Sequence, residues 1–265
     1  MEAAAALNSP TVLYLYGLVA PTADLSGLGA IEDGADIFLV SLDDVACAVS
    51  AVPASAYEQP PAAASAAEQL EWVTPRAWRH HETLRRLHVA ATVVPLKFGT
   101  LCGSAAQVEN MLRRLRSPIL DLLRHFQGKD EWTLKVCHDE ALHASWLQAT
   151  DTTLIALQNE AGRLPDGRAY FVRKKLQRAT ADLVSARLAA VEREVIEDLS
   201  QAGFEIGRGE REGSGVPVLV DRARFAILES ILAERESAAS DSHVTFELVG
   251  PWPPYSFTMA MELTS

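Results

Sequence analysis

EWVTPRAWRHHETLRRLHVAATVVPLKFGT, residues 71–100, reads as one unit: a helix starting at Thr74-Pro75, then a short apolar strand over 93–98, closed by Gly99-Thr100. Thr74 suits the cap, because its hydroxyl can accept from the first free N–H groups, and Pro75 suits the first helical position, where no donor is needed. Ala77 stands three residues after Thr74, so the reciprocal capping box is missing. Helical spacing puts Ala77, Trp78, His81, Leu84, His88 and Ala91 on one face, with Leu87 at its margin and Arg79, Glu82 and Arg86 pointing the other way. A helix with one apolar face, feeding directly into an apolar strand, is expected to be core.

Working outward, residues 11–19 (TVLYLYGLV) are β-branched and aromatic and read as a first strand. A Gly- and Asp-punctuated loop over 24–36 precedes two strands, 37–41 and 45–52, joined by a tight turn at Leu42-Asp43-Asp44. The Pro-, Ala- and Ser-rich stretch 53–69 reads as a surface excursion whose Ala-rich end begins to coil into helix. A second helix is expected over 105–127, bent or split by Pro118. The break at Gly128-Lys129-Asp130 is taken as the boundary between an N-terminal domain, 1–128, and a C-terminal domain, 129–265.

The second half has the order β-α-β-β-α-β, which is ferredoxin-like. A strand over 131–138 is followed by a helical stretch from about Ala141, interrupted near 162–167, and a long helix over 168–202. That helix has Val172, Leu176, Ala179, Leu183, Ala186 and Ala190 on one stripe, and Gly203 stands where a left-handed helix terminus wants glycine. Short strands at 204–207 and 216–220, a helix over 224–235 capped by Asp221, and a strand at 243–249 complete the order. The first half, β-β-β-α-β-α, looks like the same sheet-and-helix layer with a helix displaced or lost. The fold expected is therefore α+β with two domains: a modified ferredoxin-like N-terminal one, and a ferredoxin-like C-terminal one with an extra helix and a Pro/aromatic tail.

The chain has 265 residues, 48% hydrophobic and 22% charged, with a formal net charge of -11. That composition is globular, and the acidity argues against an extended nucleic-acid surface or a general affinity for anionic membranes. Cys47, Cys102 and Cys137 are odd in number, far apart and outside CxxC spacing, so they read as reduced, buried thiols. The first residues, MEAAAALNSP, carry no basic n-region, so no signal peptide is expected, and no apolar run approaches the ~18 residues of a membrane helix.

Little points to catalysis. His81-Glu82-Thr83-Leu84-Arg85 begins like HExxH, but Arg85 stands where the second histidine ligand belongs. His81 and His88 are about 10 Å apart along a helix, too far to chelate one ion. There is no Rossmann or P-loop glycine run, no GxSxG, and no spacing that assigns a base to Cys102. No catalytic, cofactor-binding or metal-ligating residue is expected. Two kinds of contact surface are. Arg168, Arg173 and Lys174 begin a basic run that continues to Lys175 and Arg178, either a solvated helix face balanced by nearby acids such as Asp182 or a docking patch for an acidic partner surface. Trp252, Tyr255 and Phe257 stand on a proline-stiffened string, either as an aromatic contact surface or as a tail packed over the core. Arg79 and Arg86, on the polar face of the opening helix, are further candidates.

Several strings together resemble the gas vesicle protein L/F family: Leu13-Tyr14-Leu15-Tyr16-Gly17, Trp78 with His81-Glu82, VPLKFGT at 94–100, EWTLKV at 131–136, GRAYF at 167–171 and GPWPPYSF at 250–257. They occur in order along nearly the whole chain, with the F type slightly favoured over the L type. The resemblance implies a non-enzymatic accessory protein of gas vesicle formation. It also implies a two-domain α+β fold, no cofactor, and a vesicle-associated place in the cytoplasm. Its implied partners are the small hydrophobic shell protein and other gas vesicle accessory proteins, with the chain itself a monomer or weak oligomer. The alternative from another class is a small-molecule-sensing regulatory module built on ferredoxin-like domains.

Overall fold

The computed structural model describes residues 10–57, 66–209 and 215–258. The chain divides into two compact units, one built from the residues up to Glu131 together with the segment from Pro251 onward, the other from Trp132–Gly250. Each is a sheet layered with helices, so the fold is α+β, as the sequence indicates.

In the first unit, β1 (Thr11–Val19), β2 (Ile37–Leu42) and β3 (Val45–Pro53) are followed by α1 (Ala66–Ala90), β4 (Val94–Pro95), β5 (Leu101–Cys102) and α2 (Ala105–Phe126). The β2–β3 hairpin turns at Asp43, whose φ of 53° is a left-handed conformation that aspartate tolerates. The sheet runs β2-β3-β1-β4, with β5 also on β1, and every pairing is antiparallel. This is the ferredoxin-like strand order without the helix that normally links the first two strands. A loop over 20–36 takes its place. At Gly17 a Cβ would lie 2.6 Å from Val93 Cγ2 and 3.0 Å from the Val94 carbonyl, so only glycine lets β4 approach β1 there.

A loop that covers a core must find partners for its backbone. Ile31 is fully buried and its N–H donates to Tyr16 Oη at 2.7 Å. Thr83 Oγ1 donates to the Gly29 carbonyl at 2.5 Å and Arg79 to the Ile31 carbonyl at 3.1 Å. Arg76 pairs with Glu32 at 3.1 Å, and Arg86 reaches the Gly27 carbonyl at 3.4 Å. The loop is thus fastened along α1.

Three expectations for this unit need correction. The first helix begins at Ala66, not at Thr74-Pro75, and Pro75 lies inside it. Thr74 and Pro75 are exposed, so the carbonyl that Pro75 leaves unpaired can meet water, and the alanine-rich run before it favours helix. The inner face is also turned: His80, Thr83, Leu84, Leu87 and His88 are buried, whereas Trp78 is 66% exposed. Polar side chains occupy the inner face because each meets a polar partner there: His80 Nδ1 lies 2.8 Å from Tyr14 Oη and Nε2 3.2 Å from the Leu96 carbonyl, and His88 Nε2 lies 2.7 Å from Asp130 Oδ1. Finally, Pro118 does not split α2, which is one helix capped by Ser104 and buried through Val108, Met111, Leu112, Ile119 and Phe126.

The second unit follows its expected order. It comprises β6 (Lys129–His138), α3 (Glu140–Thr150), α4 (Thr152–Arg163), α5 (Asp166–Gln201), β7 (Glu205–Ile206), β8 (Val216–Asp221), α6 (Phe225–Ala238) and β9 (Val244–Trp252), counting strands that begin or end at its edges. The sheet order β7-β8-β6-β9 is the ferredoxin-like one. Asp151 breaks the first helical stretch in two, because its carboxylate accepts from the N–H groups of Thr153 and Leu154 and starts a new helix. Gly203 ends α5 with φ 80°. Its main core cluster is apolar, formed by Leu134, Val195, Leu199, Phe204, Val218, Val220, Leu228 and Leu232, and the unit also buries His143, Thr180 and Ser242, with His143 Nδ1 2.5 Å from the Ser242 carbonyl.

The Pro/aromatic string goes with the first unit and not the second. Tyr255 packs against the first core, and Ser256 donates from both N–H and hydroxyl to the Glu131 carboxylate at 2.8 and 2.7 Å. Of the three thiols only Cys47 is buried; Cys102 and Cys137 are partly exposed.

Candidate functional site

The tail aromatics are all half-buried and differ in what they touch. Tyr255 packs against the first core, and burial of its phenol pushes it well above the usual tyrosine range. Pro253 and Pro254 are buried, which leaves Trp252 and Phe257 half-buried at the surface. Trp252 lies against the His81 ring, centroids 5.1 Å apart. His81 is one helical turn from Trp78, on the same side of α1. The outward side of α1 therefore presents a largely exposed tryptophan beside a histidine that carries a second tryptophan. Val89, 74% exposed, lies further along the outward side.

Arg79 and Arg86 are committed within their own unit. Arg79 bridges the Ile31 carbonyl and Asp33, and Arg86 pairs with Glu82 at 2.7 Å. Hydrogen bonds from Arg85 and Arg86 hold the Glu82 carboxyl down at about 2. These arginines hold the loop and helix surface in shape.

On α5 the basic run lies near the amino end of the helix. Arg173 is 3.6 Å from Asp166, and Lys174 Nζ lies 5.9 Å from the centre of the Tyr170 ring. Arg168, Lys175 and Arg178 have no ion-pair partner among the described residues. Tyr170 and Phe171 are 54% and 73% exposed. An open groove is lined by Lys174, Lys175, Gln177, Arg178 and Ala181. Of the candidates read from the sequence, Lys174 is on the groove, whereas Arg168 and Arg173 are not among the residues that line it.

Sequence reasoning placed Trp78 inside the core and read Tyr170 and Phe171 only as part of a string. The signal for Phe171 was present: the apolar stripe through Val172, Leu176, Ala179 and Leu183 points away from Phe171, Lys174 and Arg178.

The buried titratable groups are tied into packing. Burial pulls the His80 imidazole down to about 4, so it is neutral and can serve both Tyr14 and Leu96. His88 Nε2 is 2.7 Å from Asp130 Oδ1. Burial pushes the Cys47 thiol far up, the opposite of an activated nucleophile. Among the described residues there is no group of three or more His, Cys, Asp or Glu side chains placed to hold a metal ion, and no helix long and apolar enough to cross a membrane.

Comparison with known proteins adds a separate line. The model of the gas vesicle synthesis protein GvpL/GvpF family matches residues 12–259. Gas vesicle protein L of Streptomyces sp. (strain CB03234) is 28% identical over 263 residues, 95% of this chain and 94% of its own length. Gas vesicle protein F of the same strain is 26% identical over 67% of this chain and 75% of its own length. Among solved structures, the gas vesicle protein GvpF from Anabaena sp. PCC7120 superposes with a TM-score of 0.66 at 14% identity, covering 94% of this chain and 98% of that one. GvpF from Microcystis aeruginosa superposes with a TM-score of 0.58, also at 14% identity, covering 94% and 99%. At those identities the structural likeness speaks for the fold.

Proposed function

The chain belongs to the GvpL/GvpF family and has a role in gas vesicle formation, and we propose that within that role it binds the hydrophobic shell protein and assists its assembly. It acts as a minor, non-enzymatic component at the vesicle in the cytoplasm. The observation that supports the reading is the outward side of α1, where Trp78 is 66% exposed and Trp252 rests on His81. Exposed tryptophan is a frequent anchor of protein contacts. A subunit that forms an apolar wall exposes greasy surface before assembly, and such surface aggregates unless covered. Aromatic side chains on a rigid helix offer that cover without the backbone having to move.

The test is retention of the shell protein. Purified chain is expected to retain shell subunits from vesicle-forming cells and to slow their aggregation. Trp78→Ala is expected to lower retention several-fold with an unchanged Tm, since most of that side chain is already in water. Shell subunits that neither bind the wild-type chain nor aggregate more slowly beside it would refute the binding step.

A further inference from the structure

The amino-terminal third of α5 runs against the charge of the rest of the chain. Between Asp166 and Arg178 stand five cations and one acid, in a protein of net charge -11. Phe171, Lys174, Lys175 and Arg178 are spaced i, i+3, i+4, i+7, which puts them in one stripe about 10 Å long. All four are exposed, whereas Ala169 and Thr180, on the opposite side of the helix, are buried. Lys174 and Arg178 are like charges at i, i+4, an arrangement that weakens a helix. Neither is in an ion pair among the described residues, although Asp182 stands one turn beyond Arg178: Asp166 is with Arg173, and Lys174 lies against Tyr170.

We propose that this stripe docks an acidic, amphipathic protein segment. Its carboxylates meet Lys174, Lys175 and Arg178 along the groove that these side chains line with Gln177 and Ala181. Its apolar edge rests on Phe171 and Tyr170. The stripe matches about two turns of helix, and the three cations match carboxylates at helical spacing. An extended polyanion, such as an anionic membrane or a nucleic acid, is disfavoured because it would also face the acidic remainder of the chain. Helix α5 lies in the second unit and Trp78 in the first, so this surface is independent of the shell-protein reading.

The test is fluorescence anisotropy on the full chain with a synthetic amphipathic helix that carries Glu at i, i+3, i+4 and i+7 beside a Leu edge. Wild type is expected to bind it, more weakly as salt rises. Lys174→Glu with Lys175→Glu and Arg178→Glu is expected to lose about tenfold or more in affinity. That variant should instead bind a peptide in which Lys replaces Glu. If the reversal unfolds the chain by circular dichroism, Lys174→Gln with Arg178→Gln is read in its place and is expected to show a smaller loss. Equal binding of the Glu peptide by wild type and variant would overturn the proposal. So would binding of wild type to phosphatidylserine vesicles without binding to the peptide.

Discussion

The two units use one strand order, β2-β3-β1-β4 in the first and β7-β8-β6-β9 in the second, and close it by different physics. In the second, α3, α4 and α5 lie between the first two strands, the main core cluster is apolar side chains packed on one another, and the fully buried imidazole, His143, lies on α3 against the Ser242 carbonyl. In the first, a loop stands in the helix's place, and the core contains Tyr14, Tyr16, Ser50 and His80 joined by hydrogen bonds. Replacing a helix by a loop removes a self-satisfying backbone, and the neighbours must supply what it lacked. The Tyr16 and Thr83 hydroxyls and the Arg79 guanidinium do that, at the Ile31 N–H and at the Gly29 and Ile31 carbonyls. The lesson is that a sheet topology constrains strand order but leaves the chemistry of its cover open.

The comparison can be broken by unfolding each unit through its own weak point. The largest effect is expected in the apolar core: Leu134→Ala should cost about 2–5 kcal/mol through the lost contacts and the cavity, seen as a lower denaturant midpoint. Acid should act on the other unit. His80 is neutral when folded, with its pKa lowered from 6.5 to about 4, so the unfolded chain binds more protons in that window. Stability is therefore full above about pH 6.5 and falls as pH drops toward 4, by up to about 3 kcal/mol. Hydrogen exchange should show the loss in β1, α1 and the 20–36 loop, and His80→Gln should flatten it. Equal acid lability of β8 and α6 would remove the contrast.

Tyr16→Phe sharpens the point, because it keeps the ring and deletes only the hydroxyl that serves the Ile31 N–H and Ser50. The cost expected is about 1–3 kcal/mol from the buried groups left without a partner, measured by thermal unfolding. Arg79→Ala is the smallest case. Its side chain is partly exposed, so about 1 kcal/mol or less is expected, read as faster exchange at residues 29–33 with little change in Tm.

What the sequence disclosed follows the same division. The strands 11–19, 37–41 and 45–52, and the whole second-unit order, were legible because β-branched alternation, Asp caps and Gly203 act locally. The inner face of α1 was not, because apolar periodicity cannot identify a face built from His80 and Thr83. Nor could it find the fastening of the 20–36 loop, whose bonds to α1 span 44 to 59 residues. The tail was undecided for a similar reason, since Glu131 and Ser256 are 125 residues apart. The basic run was visible from the start, but the exposed aromatics beside it were not weighed against the apolar stripe of their own helix.

Complementation in vesicle-forming cells that lack this gene and any paralogue tests the assembly role most directly, with vesicle yield counted by electron microscopy. The wild-type gene is expected to restore vesicles. Trp78→Ala with Trp252→Ala is expected to restore few, despite normal protein levels and an unchanged fold by circular dichroism. Full vesicle yield in the cells lacking the gene would contradict an assembly role, and full rescue by the double variant would contradict the α1 contact surface.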